Sequence, residues 1–282
     1  MLVIGVACFA GMEATAKYLI GQGHSPIMVA WARYLVNLIG LALLLFRYRP
    51  SELLRTQRLG LQVLRSSLIV ALTVLFFAAV RTMKLADATT ILFAGPLLIV
   101  AFSGPVLGEK VGPHRWIGVI VGFVGVAIIV RPGGEFGWGA VMAFGAAICY
   151  AGYALVTRVL GPTESPVATV FYTALVGTVP LTFAVPFYWS VPTGFDWFWI
   201  VVPGALGALG HYVIFLAYRR APASALAPFT YTHLIWAAAY GFLIFDERPD
   251  HLTYLGAGII TAAGLYVWYR EQRRARSAPS AG

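Results

Sequence analysis

Charge is scarce in this chain. Only 11% of its 282 residues are Asp, Glu, Lys or Arg, against 60% that are hydrophobic, whereas a soluble domain carries roughly 25% charge. Such a composition excludes an ordinary soluble fold and reads as an all-α integral membrane protein. Cysteine is nearly absent too. Cys8 and Cys149 both sit in apolar runs, which argues against a disulfide framework or a thiolate metal site and leaves them as small packing residues. No G-x-x-x-x-G-K-[ST] occurs, and no polar stretch is long enough for a soluble nucleotide-binding domain. H-E-x-x-H and G-x-S-x-G are also missing, which weighs against an intramembrane hydrolase. No motif calls for a cofactor or a metal.

What charge there is has a pattern. The net balance of +9 suggests nucleic acid on a soluble chain, but here the basic residues fall in short stretches between apolar runs, as topology signals and lipid headgroup contacts. No nucleic-acid partner is expected. A helix needs about 20 apolar residues to cross a bilayer, and ten runs approach that length: Val3 to Ile20, Ile27 to Phe46, Ser66 to Val80, Thr89 to Leu107, Trp116 to Val130, Trp138 to Thr157, Val167 to Tyr188, Phe198 to Tyr218, Ala225 to Phe245 and Leu252 to Tyr269. The short third and fifth runs invite extension by their flanks. The first run has no basic start and is interrupted by Glu13 and Lys17, so it reads as a span rather than a cleavable signal sequence. Apolar sequence begins almost at once, as if a leader had been trimmed.

Placing both termini in the cytoplasm puts fourteen Lys and Arg residues inside, Arg47, Arg55, Arg58, Arg65, Lys110 and Arg158 among them. Four remain outside: Arg81, Lys84, Arg131 and Arg248. The asymmetry predicts that orientation in the bacterial cytoplasmic membrane. Arg47 to Arg65 reads as a basic cytoplasmic loop, and the tail after Arg270 as disordered.

The chain also repeats itself. An offset of 140 lays "GQGHSP" (Gly21 to Pro26) on "GPTESP" (Gly161 to Pro166), and Gly5 on Gly145. An offset of 138 lays Phe77 on Phe215, Glu109 on Glu247 and Gly118 on Gly256. This predicts two five-helix halves, residues 1–132 and 133–270, followed by a cytoplasmic tail, 271–282. Five crossings per half invert the second copy, an architecture that suits alternating access around a site at the interface of the halves. Two complementary halves make a complete pathway in one chain, so a monomer suffices. Without a nucleotide motif, transport by this chain is secondary or facilitative.

"LADATTILFAGPLLIVAFSGPVLGEKVGPHRWIGVIVGFVGVAIIV" (Leu85 to Val130) resembles the repeat of the drug/metabolite transporter superfamily, EamA type. The resemblance rests on an A-x-x-A-like entry, Pro96 in the fourth helix, the Gly108-Glu109 pair ending that helix and the glycine-rich helix after it. "SALAPF", Leu234 and Asp246-Glu247 stand for these marks in the second half, and "RYLVNLIGLALLL" with Arg33 looks like the family's second helix. Within the superfamily the chain looks most like bacterial aromatic amino acid exporters. The resemblance implies a basket of helices around a central cavity and export of amino acids or related small metabolites. An exchanger of phosphorylated metabolites or a drug exporter of the same superfamily is the nearer rival, and an intramembrane enzyme the more distant one.

A charge inside the hydrocarbon layer costs at least ~2.5 kcal/mol on the insertion scale, so the intramembrane charges are the first site candidates. Glu13 and Arg33 lie at matched depth on adjacent antiparallel helices, about 10 Å below their outer ends, and Lys17 is one turn from Glu13. This predicts a Glu13, Lys17, Arg33 cluster, which either clamps two helices or faces the cavity with spare positive charge. Their counterparts in the second half include Tyr153 and Thr173, so only one half carries the ionic chemistry. The second half offers aromatics: Phe229, His233, Trp236 and Tyr240 recur at helical spacing, with Tyr150, Tyr153, Tyr172, His211 and Tyr212 on neighbouring spans. Core packing is the bland alternative for these. Trp138, Trp189, Trp197 and Trp199 lie near span ends and read as interfacial belt residues. Glu109 and Glu247 end helices at opposite faces, as gates or end caps. Pro96 is expected to kink the fourth helix. "GALGALG" (Gly204 to Gly210) and "GVIVGFVG" (Gly118 to Gly125) read as close helix contacts.

Overall fold

A computed structural model describes residues 1–45, 55–109, 111–130, 137–161 and 163–277. All regular structure among them is helical: α1 (Leu2–Gly21), α2 (Pro26–Leu45), α3 (Leu59–Ala79), α4 (Leu85–Leu92), α5 (Ala94–Leu107), α6 (Pro113–Val130), α7 (Trp138–Leu160), α8 (Pro166–Ala184), α9 (Asp196–Tyr218), α10 (Ala223–Leu226), α11 (Thr232–Phe245) and α12 (His251–Ser277). Short 3₁₀ segments extend α8 over Val185–Tyr188 and join α10 to α11 over Ala227–Tyr231. Pro26, Pro113 and Pro166 each open a helix, where the missing N–H has no partner to lose. Eight helical runs are long and apolar enough to cross a membrane, α4 with α5 counting as one broken run; α2 contributes a shorter apolar stretch, Pro26–Ala42.

Helix boundaries move the expected spans in three places. Helices α3 and α6 begin at Leu59 and Pro113, so the two short spans are extended at their N-terminal ends. Arg65 therefore leaves the basic loop and lies inside α3; Arg55 precedes that helix, while Arg47 and Arg49 lie outside the described residues. The last helix runs through Ser277, so residues 271–277 are not disordered: "EQRRARS" is rich in helix formers. Residues beyond 277, Lys110 and Arg131 lie outside the described part.

Contacts sort the helix ends into two sets. At one, His24 Nδ1 lies 2.6 Å from Ser190 Oγ, and Lys84 Nζ donates to the Arg248 carbonyl at 2.8 Å. At the other, the Gln57 and Arg58 amides donate to Glu164 Oε1 at 2.9 and 3.1 Å, Arg115 pairs with Glu271 at 2.7 Å, and Arg158 meets Glu109. Between the ends α1 packs on α9 and α11, α3 on α7 and α8, α2 on α8 and α9, α5 on α7, and α6 on α12. Glycines set the closest approaches. A Cβ on Gly125 would stand 2.9 Å from the Gly256 carbonyl, and one on Gly210 3.1 Å from that of Gly5.

Polarity is turned inside out. Phe187, Trp138 and Leu243 are 85%, 78% and 74% exposed, while Glu13, Arg33, Arg65, Gln62, Ser66 and Thr73 are buried. Large apolar side chains facing outward in such numbers are costly in water and suit lipid.

Candidate functional site

One set of interior polar groups gathers where two helices break. Phe93 separates α4 from α5, one turn before Pro96, whose ring nitrogen has no hydrogen to give the Leu92 carbonyl. The Ala227–Tyr231 segment makes the other break, before α11, and the two rings that mark the breaks, Phe93 and Tyr231, lie 5.4 Å apart. His233, at the start of α11, reaches from this junction to Glu13 in the middle of α1. Its Nε2 donates to Glu13 Oε2 at 3.1 Å, and Thr89 Oγ1 of α4 approaches the same oxygen at 3.5 Å. Phe93 lies edge-on to the His233 ring at 5.9 Å.

The expected pairing of Glu13 with Lys17 and Arg33 is therefore replaced. Lys17 turns to the end of the molecule, donating to the Met83 carbonyl and to Glu247 Oε1, while Glu247 Oε2 accepts from the Leu85 amide at 2.9 Å. One helical turn is enough to part Lys17 from Glu13, because α11 delivers a closer acid at that level. Glu109 answers at the other end, where it meets Arg158 and Arg115.

Arg33 turns instead toward α3. Its Nη1 donates to Thr73 Oγ1 at 2.7 Å, and Tyr34 OH shares that hydroxyl at 2.9 Å. Two turns earlier on α3, Arg65 fans out to two helices, α7 and α8. Nε donates to Thr157 Oγ1 at 2.8 Å, Nη1 to Thr173 Oγ1 at 2.8 Å and Nη2 to Tyr153 OH at 2.9 Å. Its guanidinium also lies 4.6 Å from the centre of the Tyr153 ring.

The aromatic candidates divide. Tyr150 packs on Gly95, where a Cβ would stand 2.5 Å from its ring, and lies within electrostatic reach of Tyr153, Tyr218 and Tyr231. His211 lies edge-on to Phe9 at 4.8 Å and within reach of Arg33 and Arg65. Both side chains are exposed. Trp236 stacks on Tyr240 and packs beside Leu2, Val6 and Ala217. Tyr172 is buried, edge-on to Phe171. Tyr212 does not join the group: it is 60% exposed and shares a face of α9 with Leu209 and Phe215, also exposed. Trp199 departs from the belt expected of it and packs on Tyr18, whereas Trp138 and Trp197 are exposed.

Sequence reading missed Arg65, Tyr34, Thr73, Thr89, Phe93 and Tyr231. A signal existed for two of them, since Gln62, Arg65, Ser66 and Thr73 recur at helical spacing and all are buried.

Two successive stretches, residues 1–131 and 137–269, match the EamA-like transporter family. A riboflavin transporter of Vibrio cholerae is 30% identical over 98% of this chain and 94% of its own length. An S-adenosylmethionine uptake transporter of Rickettsia bellii is 30% identical over 93% of this chain and 89% of its own. A protein of known crystal structure superposes with a TM-score of 0.64 at 17% identity, covering 96% of this chain and 98% of that one, a likeness of fold. None of these relatives is named as an aromatic amino acid exporter, and all the named ones are transporters rather than enzymes. The chain is a multi-pass membrane transporter and belongs to the EamA-like family.

Proposed function

We propose that this protein is a secondary transporter that moves a heteroaromatic metabolite, rather than a free aromatic amino acid, across the bacterial cytoplasmic membrane by alternating access. The observation that carries the reading is the Glu13, Thr89 and His233 cluster set at the junction of two helix breaks and flanked by the Phe93 and Tyr231 rings. Hydrogen-bonding groups beside aromatic faces suit a planar ring system with polar edges. The names of the relatives, riboflavin and S-adenosylmethionine transporters, agree with such cargo.

The mechanism draws on ten crossings in two inverted halves, residues 1–132 and 133–270, with both termini cytoplasmic. Several correspondences support that arrangement. Phe93 and Tyr231 are 138 positions apart, and so are Gly108 and Asp246, which end α5 and α11 with left-handed backbone, φ 71° and 51°. Two ion pairs correspond as well. Lys17–Glu247 holds α1 to the end of α11, and Arg158–Glu109 holds α7 to the end of α5. The side chains of the first are 13% and 17% exposed, those of the second 63% and 28%. We take the first as the closed gate and the second as the looser one, with the cavity reached from the cytoplasmic side.

Purified protein in liposomes should accumulate labelled riboflavin or S-adenosylmethionine by counterflow, with phenylalanine carried poorly. Saturable flux of phenylalanine or tryptophan with neither of the other two would return the cargo to the amino acid class.

A further inference from the structure

We propose that Arg33 and Arg65 form an anion-binding subsite of the transport cavity, which receives a carboxylate or phosphate group of the cargo. The proposal rests on the transport reading above and deepens it.

Both guanidiniums are enclosed, each residue only 6% exposed, and among the described residues neither has a carboxylate within ion-pairing distance. The acids are committed elsewhere: Glu13 to His233, Glu247 to Lys17, Glu109 to Arg158 and Arg115. Neutral oxygens hold the two cations instead. Arg65 is fixed by Thr157, Thr173 and Tyr153 and by a longer contact to the Thr169 carbonyl at 3.5 Å. These contacts set its direction without cancelling its charge. Arg33 is less satisfied still. Among the described residues its only hydrogen bond goes to Thr73, and its Nε is buried with no partner. Five N–H donors on a planar fork match the two oxygens of a carboxylate or the face of a phosphate.

The unsatisfied nitrogen is walled by Gly207 and by the Met12 sulfur, which would stand 3.2 Å from a Cβ on that glycine. Gly207 faces it without a side chain, and a Cβ there would stand 3.7 Å from Arg33 Nε. The accessible His211 ring lies within reach of both cations, and Tyr34 OH and Thr73 Oγ1 tie Arg33 to the helix that carries Arg65. Among the described residues the buried charged groups are thus two cations, Arg33 and Arg65, against the single carboxylate of Glu13. A pair kept only to staple helices gains little from uncompensated buried charge, whereas an anionic cargo supplies the missing countercharge.

Matched probes test this. In liposome competition assays, riboflavin 5′-phosphate is compared with riboflavin, and S-adenosylmethionine with its decarboxylated form; the first pair reads phosphate and the second carboxylate. Wild-type protein should favour the anionic member of at least one pair by roughly 10- to 100-fold. In Arg33→Gln and Arg65→Gln the ratio within that pair should fall toward one, and Arg33→Lys should keep part of it. For a pair that is carried, no preference in the wild type, or a ratio unmoved by either glutamine variant, overturns the subsite. The melting temperature of the detergent-solubilised wild type, in acetate or phosphate against chloride at equal ionic strength, gives a reading independent of the cargo. Stabilisation by an oxyanion that is lost in Arg33→Gln and Arg65→Gln sustains the subsite even if none of these metabolites is carried. Absence of stabilisation together with absence of preference rejects it. Should a glutamine variant fail to fold, the lysine variants decide by the same ratio.

Discussion

Glu13 and His233 are 220 positions apart in the chain and 3.1 Å apart in space. Each was recognisable in the sequence, one as a charge inside a span and the other as a polar ring at helical spacing. Their partnership was not, because helical periodicity reports the face of one helix and says nothing about which helix packs there. Arg65 was lost for a different reason: a cation near a span end has the same signature whether it anchors in headgroups or turns inward, and only the burial of its neighbours separates the two. Because Glu13 and His233 share one contact, their losses should not add. Glu13→Gln and His233→Gln should each slow counterflow about tenfold or more, and the double variant should be no slower than the worse single one. Additive losses would show that the two act apart. Lys17 makes a separate prediction. Lys17→Met leaves a largely buried Glu247 carboxylate with the Leu85 amide and weakens closure of that end by about 1–3 kcal/mol. Thiol labelling at Met83→Cys, in a background without Cys8 and Cys149, should then quicken; unchanged labelling would remove Lys17 from the gate.

Elements were more legible than pairs. The helical runs follow from length and apolarity, and their starts from proline, but the two breaks were harder to see. Pro96 announces the first, at Phe93, while the second, over Ala227–Tyr231, has its proline at Pro228 in a segment that otherwise reads as a continuous span. Close contacts between elements yield stability predictions. Gly125 lies against the backbone of Gly256, so Gly125→Leu should push α6 from α12 and cost about 1–3 kcal/mol, or more if the helices part, seen as a lower melting temperature in detergent. Asp246 carries a left-handed φ of 51° and a long, exposed contact to Arg248 at 3.9 Å that contributes little. Asp246→Gly should therefore raise stability by about 0.5–1 kcal/mol, and a fall would mean that the carboxylate holds something the geometry does not display.

At the scale of the molecule, the family and the membrane class were readable from composition and from one repeat motif seen twice. Cargo was not: the choice among amino acid, flavin and sulfonium nucleoside depends on how a few side chains converge, and a residue such as Arg65, which reads as part of a basic loop, lies buried inside α3. The packing order has a further consequence, for how the protein is made. Helix α1 packs on α9 and α11, α3 on α7 and α8, and α6 on α12, so the principal partners of these first-half helices emerge from the ribosome only in the second half. The earlier helices must wait in the bilayer with a buried-type polar group, Arg65, separated from its partners on α7 and α8, and the glycine face of α6 stays bare until the last helix is inserted. Chains truncated before His251 should accordingly be recognised and cleared by membrane quality control, while the two halves expressed as separate polypeptides, cut between residues 131 and 137, should find each other.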